Sequence, residues 1–185
     1  MITVVCDDPK KGEVQYEISP LILTPTNLQM FWKKSSKYTT LFNEEIRNDF
    51  GKFLSVFVST TGAGEIQGKG LFWKVDTKDE EMLGVFYVTD ITLDTDAQVH
   101  FSFFDGRTKG RIPLARAMLK YLFEHYNFNR VSVQIPVFVI PATFKFIEGL
   151  GFLKEGKKRR AIKFDNKFFD IVLYGILKDE VLNGN

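Results

Sequence analysis

Between residues 70 and 105 the chain changes from helical to extended patterning in three successive runs. These are GLFWKVD, MLGVFYVTDITLD and AQVHFSFFD, divided only by the charged turn TKDEE and the short DTD. Links this short join neighbouring strands, so the three runs predict an antiparallel meander. The last run passes directly into GRTKGRIPLARAMLKYLFEHYNFN, where Leu114, Ala115, Met118, Leu119, Leu122 and Tyr126 recur at helical spacing. Arg116, Lys120 and Glu124 follow at four-residue intervals on the other face, as expected of a helix laid on a sheet. A strand RVSVQIPVFVI, a short helix ATFKFIEGL closed by Gly151, and two strands around GFLKEGKKRRAIKF and FFDIVLYGILK complete this half. The expected class is α/β (α+β), with a mixed, mostly antiparallel central sheet of about six to seven strands flanked by helices.

The first 60 residues read differently. Thr26 and Asn27 cap a short helix over LQMFWKK. From Leu41, the spacing of Phe42, Ile46, Phe50, Phe53, Leu54 and Phe57 predicts one amphipathic helix that stops near Ser59. The segment TTGAGEIQGKG that follows reads as a mobile loop, since no strand feeds its glycines and no helix follows them. At 185 residues, without a repeat or linker, the chain is expected to form a single domain over 1–185.

Composition narrows the function classes. Hydrophobic residues make up 44% and include 19 Phe, enough for a folded core. One cysteine, Cys6, excludes an internal disulfide, and two histidines, His100 and His125, leave no Cys/His cluster with metal-ligand spacing. No apolar run reaches membrane-spanning length and the opening lacks a signal-peptide layout. A soluble cytoplasmic protein with no metal and no membrane partner is expected. The 25 basic and 23 acidic residues give a net charge of +2, so the whole-molecule field disfavours nucleic acid as a partner. A homodimer is left open.

The chemistry concentrates where the third strand of the meander meets the helix. A strand entering a basic glycine turn and then a helix is suited to phosphates, because the first amides of a helix lack internal partners and carry partial positive charge. Arg107, Lys109 and Arg111 surround Gly110 there, and Pro113 suits the first helical turn. An ordinary turn with solvated charges is the competing reading.

At this turn the sequence resembles the GNAT N-acetyltransferase superfamily, whose phosphate loop reads Q/R-x-x-G-x-G/A. Arg107-Thr108-Lys109-Gly110-Arg111-Ile112 matches at Arg107 and Gly110, with Ile112 where Gly or Ala is expected. The tail GLGFLKEGKKRRAIKFDNKFFDIVLYGILKDE is similar to that of the ribosomal-protein and diamine N-acetyltransferase branch. The likeness covers about residues 70–180 and leaves 1–60 as a variable helical part on the acceptor side. It implies acetyl transfer from acetyl-CoA, as co-substrate, to a primary amine of a protein N-terminus or small molecule. It places Phe101, Ser102, Phe103 and Phe104 along the thioester arm, and Arg107, Thr108, Lys109, Gly110, Arg111 and Ile112 at the pyrophosphate.

The family's acidic tyrosine is missing from Thr143–Leu150, which holds Phe144 and Phe146 instead. Three residues can take over proton transfer. His100 shares a strand face with Ser102 and Phe104 and titrates near neutrality, with a buried, hydrogen-bonded structural histidine as the plainer reading. Asp90 lies in YVTDI, where an outward polar residue is the plainer reading, and Tyr174 in the last strand can serve as acid or as a core aromatic. The departures at Ile112 and Pro113 keep an alternative open, a GNAT-like binding or assembly module without catalysis. The run Lys154, Lys157, Lys158, Arg159, Arg160 and Lys163 reads first as a solvated strand edge and second as a contact for an acidic partner or RNA.

Overall fold

The computed structural model describes residues 1–8, 12–38, 41–42, 44–63, 66–104 and 110–184. It opens on a hairpin, β1 (Ile2–Asp8) and β2 (Gly12–Pro20), followed by α1 (Pro25–Ser35), α2 (Glu44–Asn48) and α3 (Phe50–Phe57). A two-stranded ribbon, β3 (Val58–Thr60) and β4 (Ile66–Gly68), leads to the meander β5 (Leu71–Thr77), β6 (Gly84–Thr92) and β7 (Asp96–Phe103). Then come α4 (Arg111–His125), β8 (Arg130–Pro136), α5 (Pro141–Gly149), β9 (Leu153–Phe164), β10 (Lys167–Leu177) and α6 (Lys178–Leu182).

The main sheet has eight strands in the order β1-β2-β5-β6-β7-β8-β10-β9. All its pairings are antiparallel except β7 with β8, which α4 connects as a crossover. The meander and the elements that follow it match the expected class.

The first 60 residues depart from it. They begin with strands, not helices: Val14, Tyr16 and Ile18 alternate inward, and β2 continues the sheet beyond β5 through Tyr16↔Thr77 to Pro20↔Trp73. The helix expected over 41–57 is two helices. Asp49 adopts an extended conformation (φ −130°, ψ 108°) and its carboxylate accepts the amide of Lys52 at 3.0 Å, so it caps α3 and breaks the run. Part of the expected loop is the strand β4, paired as Val58↔Gly68 to Thr60↔Ile66, while residues 64–65 lie outside the described residues.

Each face of the sheet has its own core. On one, α4 buries Leu114, Ala115, Met118, Leu119, Leu122 and Phe123 against Phe86, Val99, Val131 and Ile135. On the other, α1 and α3 close over the meander with Phe31, Phe53 and Phe57, whose ring centroids lie 4.9 to 5.2 Å apart. Phe53 is fully buried in this aromatic knot, so Phe53→Ala is expected to remove about 3–5 kcal/mol of stability, read as a lower urea midpoint at unchanged slope.

Candidate functional site

β7 and β8 are paired only at Asp96↔Arg130, Ala97↔Val131 and Gln98↔Ser132. Beyond that point β7 continues to Phe103 against β6 alone, and β8 continues to Pro136 against β10 alone. The two strands therefore part into a V that opens towards the start of α4. Arg130 clamps the closed end, with its guanidinium 3.8 Å from Asp96 on β7 and 2.6 Å from Glu155 on β9. Gly175 leaves the room for this contact, since a Cβ there would collide with Arg130 and Glu155.

The walls of the V carry unpaired backbone. The Phe104 amide bonds the Leu83 carbonyl at 2.8 Å, which fixes the alternation: residues 98, 100, 102 and 104 point their backbone groups at β6. Val99 still donates its amide to Ser132 in the last ladder pair, and beyond it the C=O of Val99 and the N–H and C=O of Phe101 and Phe103 point into the V. On β8 the Val137 amide bonds the Asp170 carbonyl at 3.0 Å, so Ser132, Gln134 and Pro136 turn their backbone towards β7, Ser132 within the ladder and Gln134 and Pro136 in the V. Pro136 has no amide to leave unmet there.

Side chains divide by face. Phe101 and Phe103 lie on the α4 side, edge-on to Phe146 of α5 at 5.9 and 6.0 Å. His100, the buried Ser102 and Phe104 lie on the α1 side. Phe104 packs on Phe31, and its carbonyl accepts the Tyr38 hydroxyl. Phe101 to Phe104 thus lie along one wall of the V, and the phenylalanine rings fill core space.

Of the expected phosphate loop, Arg107, Thr108 and Lys109 lie outside the described residues. Gly110 caps α4 with φ −74° and ψ 14°, a conformation open to any residue. Glycine is required there by packing: an added Cβ would lie 2.8 Å from Cys6 Sγ and 3.2 Å from Tyr16 Cε2. Its missing side chain faces the β1–β2 hairpin. Arg111 sets its guanidinium 5.6 Å from the Phe103 ring centroid, at the mouth of the V. Ile112 is half-buried against the α4-side core and turns towards Gly149 of α5. The Arg116 guanidinium also donates to the Gly149 carbonyl, at 3.0 Å.

The proton-transfer candidates are not brought together. His100 stacks on Tyr87 at 4.2 Å between centroids and 6° between planes. Its Nε2 lies 3.0 Å from Thr89 Oγ1 and 3.1 Å from Gln98 Nε2. With the Gln98 amide donating, Nε2 accepts and the ring proton sits on Nδ1. Burial pushes the imidazole pKa down to about 4, so it is neutral throughout the physiological range. Asp90 is exposed at the β6 irregularity between Thr89 and Thr92, with φ 49°. Tyr174 is buried on the α4 face and donates to Glu148 Oε1 at 2.9 Å. Burial, then the bond to Glu148, raises its pKa, which weakens it as an acid.

Thr89, Gln98, Ser132 and Phe146 escaped sequence reasoning. Gln98 was reachable by alternation from His100; the other three need register or tertiary packing. A separate cavity of about 670 Å³ lies away from the V, between α4 and α6 over Leu150 and Ile176. The V is a cleft in the backbone and is preferred here because it gathers unpaired amides. Among the described residues no group of three His, Cys, Asp or Glu could hold a metal, and no helix is long and apolar enough to cross a membrane.

A family model described as Acetyltransferase (GNAT) domain matches residues 32–173, more than half of the chain and the whole of the V. The chain belongs to the GNAT acetyltransferase family. Its reaction class is therefore acetyl transfer from acetyl-CoA to an amine. No curated protein sequence matches the chain.

Among solved structures, a point mutant of the spermidine N-acetyltransferase SpeG from Vibrio cholerae superposes with a TM-score of 0.72 at 15% identity, over 91% of this chain and 97% of that one. A chimera of SpeG and hSSAT gives a TM-score of 0.70 at 14% identity, covering 91% and 98%. A SpeG structure described as dodecameric gives 0.67 at 14% identity, covering 92% and 98%. At such identities the likeness is one of fold.

Two measurements test the site's physics. In the unfolded chain His100 takes up its proton near pH 6.5, but in the folded protein only near pH 4. Between these values the unfolded state binds more protons, so stability should fall with falling pH, by on the order of 3 kcal/mol. His100→Gln, compared in melts at the two ends of that window, should remove most of this slope. Gly110→Ala should cost about 1–3 kcal/mol by overpacking, and adding Cys6→Ala should restore part of the loss in melting temperature.

Proposed function

We propose that the V between β7 and β8 holds the pantetheine arm of acetyl-CoA and that the acetyl group passes to a primary amine arriving from the His100 side of the sheet. The observation that carries this is the run of backbone groups from the Val99 carbonyl through Phe101 and Phe103 that no strand pairs. A linear ligand with amide groups can complete such an edge as a strand would. Arg111 and the first amides of α4 stand at the open end for the pyrophosphate, with Arg107 and Lys109 adding positive charge in the sequence beside them. Acetyl-CoA, when bound, supplies an acetyl group activated as a thioester.

The chain's own residues then have separable roles. Val99, Phe101 and Phe103 orient the donor through backbone groups, while the rings of Phe101, Phe103 and Phe146 exclude water on the α4 side. On the other side, the Thr89 hydroxyl bonded to His100 Nε2 is a positioning group for the amine, and because His100 has a pKa of about 4 it does not keep the amine's proton, which leaves with the CoA thiol. Tyr174 and Asp90 serve as supports in this reading, because Tyr174 is committed to Glu148 and Asp90 is exposed at the β6 irregularity.

The second reading is a binding module that keeps the fold without transfer. Ile112 and Pro113 favour it, since Pro113 removes one of the first amides of α4. Titration with acetyl-CoA separates the two readings: saturable binding with thiol release in the presence of an amine supports transfer, and no thermal shift at millimolar ligand sinks it. Arg111→Ala is expected to weaken acetyl-CoA about tenfold, with the loss shrinking at high salt.

A further inference from the structure

The helices of the α1 side stop short of three strands. Every residue of the aromatic core under α1 and α3 comes from those helices, their links or the β2–β7 part of the chain, and none from β8, β9 or β10. This uncovered face adjoins the V on the side where His100 lies. On it, Ser132 and Gln134 of β8, Ile171 and Leu173 of β10, and Lys158 of β9 stand in cross-strand rows. Lys158 Nζ reaches across β10 to donate to Gln134 Oε1 at 3.4 Å, so β9 and the rim of the V share one surface. Its far end is an aromatic shelf, with Phe138 stacked at 4.4 Å on Phe164 and set 5.0 Å from Phe169.

The charge of this region is one-sided. Residues 153–170 hold seven Lys and Arg against three Asp and Glu, a local charge of +4 in a chain whose total is +2. Two of the three acids are already engaged, the third being Asp165 in the exposed β9–β10 turn. Glu155 pairs with Arg130, and Asp170 pairs with Lys157 at 2.8 Å and accepts the Arg160 amide at 2.8 Å. Arg159, Arg160 and Lys167 are exposed along the outer strand pair.

We infer that this face is the acceptor platform and that it selects an amine carried on an acidic peptide. The inference rests on the reading of the V as the acetyl-transfer site. A polyamine would meet like charge all along this surface, whereas an anionic chain would meet unengaged cations. The reach also fits: β9 lies two strand spacings, about 10 Å, from β8, and an extended peptide advances about 3.4 Å per residue. Acidic side chains at the third and fourth positions of the acceptor would then lie over Lys158. Neutral side chains would rest on Ile171 and Leu173 and on the aromatic shelf.

The full-length protein is assayed with saturating acetyl-CoA against three amines. These are a peptide opening Ser-Asp-Glu-Glu, its Ser-Asn-Gln-Gln counterpart, and spermidine. The acidic peptide should exceed the amide peptide about tenfold in kcat/KM at low salt, with the ratio falling as salt rises. C-terminally labelled acidic peptide should also bind without acetyl-CoA, read by fluorescence anisotropy. Lys158→Glu should remove both preferences while leaving the acetyl-CoA thermal shift unchanged, and Lys167→Glu should reduce them. Preference for spermidine, equal use of the two peptides, or an unaffected Lys158→Glu variant overturns the inference and leaves the transfer reading intact. Tighter binding of a single-stranded oligonucleotide than of the peptide overturns it in favour of nucleic acid. Peptide binding with neither acetyl-CoA shift nor turnover overturns the acceptor role and, separately, the transfer reading.

Discussion

The parallel ladder between β7 and β8 ends after three pairs because each strand holds a different neighbour more extensively. β7 is fixed along its length by β6, and β8 by β10. Twist between two such anchored pairs accumulates along the strands, and the backbone between Val99 and Phe103 is left facing a gap. In an ordinary sheet this would be a defect, with several buried polar groups lacking partners. Here the gap opens onto the start of α4, where the first amides of a helix have no partner within the helix itself. One irregularity in pairing thus leaves a strand-like edge that runs out at a helix N-terminus.

Holding such a gap open requires stiffness on both sides. Arg130 fastens the closed end through Asp96 and Glu155, so β7, β8 and β9 cannot slide independently. The α4 side is packed by Phe146 against Phe101 and Phe103, and the α1 side by the aromatic knot under Phe104. The two cores therefore act on opposite faces of the same strand. His100 is shaped by this arrangement too: its depressed pKa follows from lying under Tyr87 in a desolvated stack, without a nearby carboxylate to favour its charge.

The short apolar runs GLFWKVD, GVFYVTD and AQVHFSF, rich in aromatic and β-branched residues and bounded by turns, report β5, β6 and β7 although both faces are covered, and four-residue spacing reports α4, where one face is buried and the other wet. The alternation of Val14, Tyr16 and Ile18 was equally present but lay within a stretch read as helical. Asp49 is a helix cap whose effect is hidden by a hydrophobic spacing that continues across it. The V itself has no local signature. It depends on which strand pairs with which and for how long, and so do the Thr89 and Phe146 contacts. Gly110 stands out in the sequence as part of a phosphate-type turn, but the packing that requires glycine there comes from neighbours more than 90 residues away in sequence.

Those neighbours give the opening hairpin a role beyond its place at the sheet edge. Edge strands are often the most replaceable part of a sheet, loosely held and free to fray. Here Cys6 and Tyr16 press against the residue that begins α4, so the hairpin acts as a buttress behind the open end of the V. Order in the first twenty residues and order at the helix start are mechanically one property. Whatever engages the α4 terminus from the front leans, from behind, on the first strand of the chain.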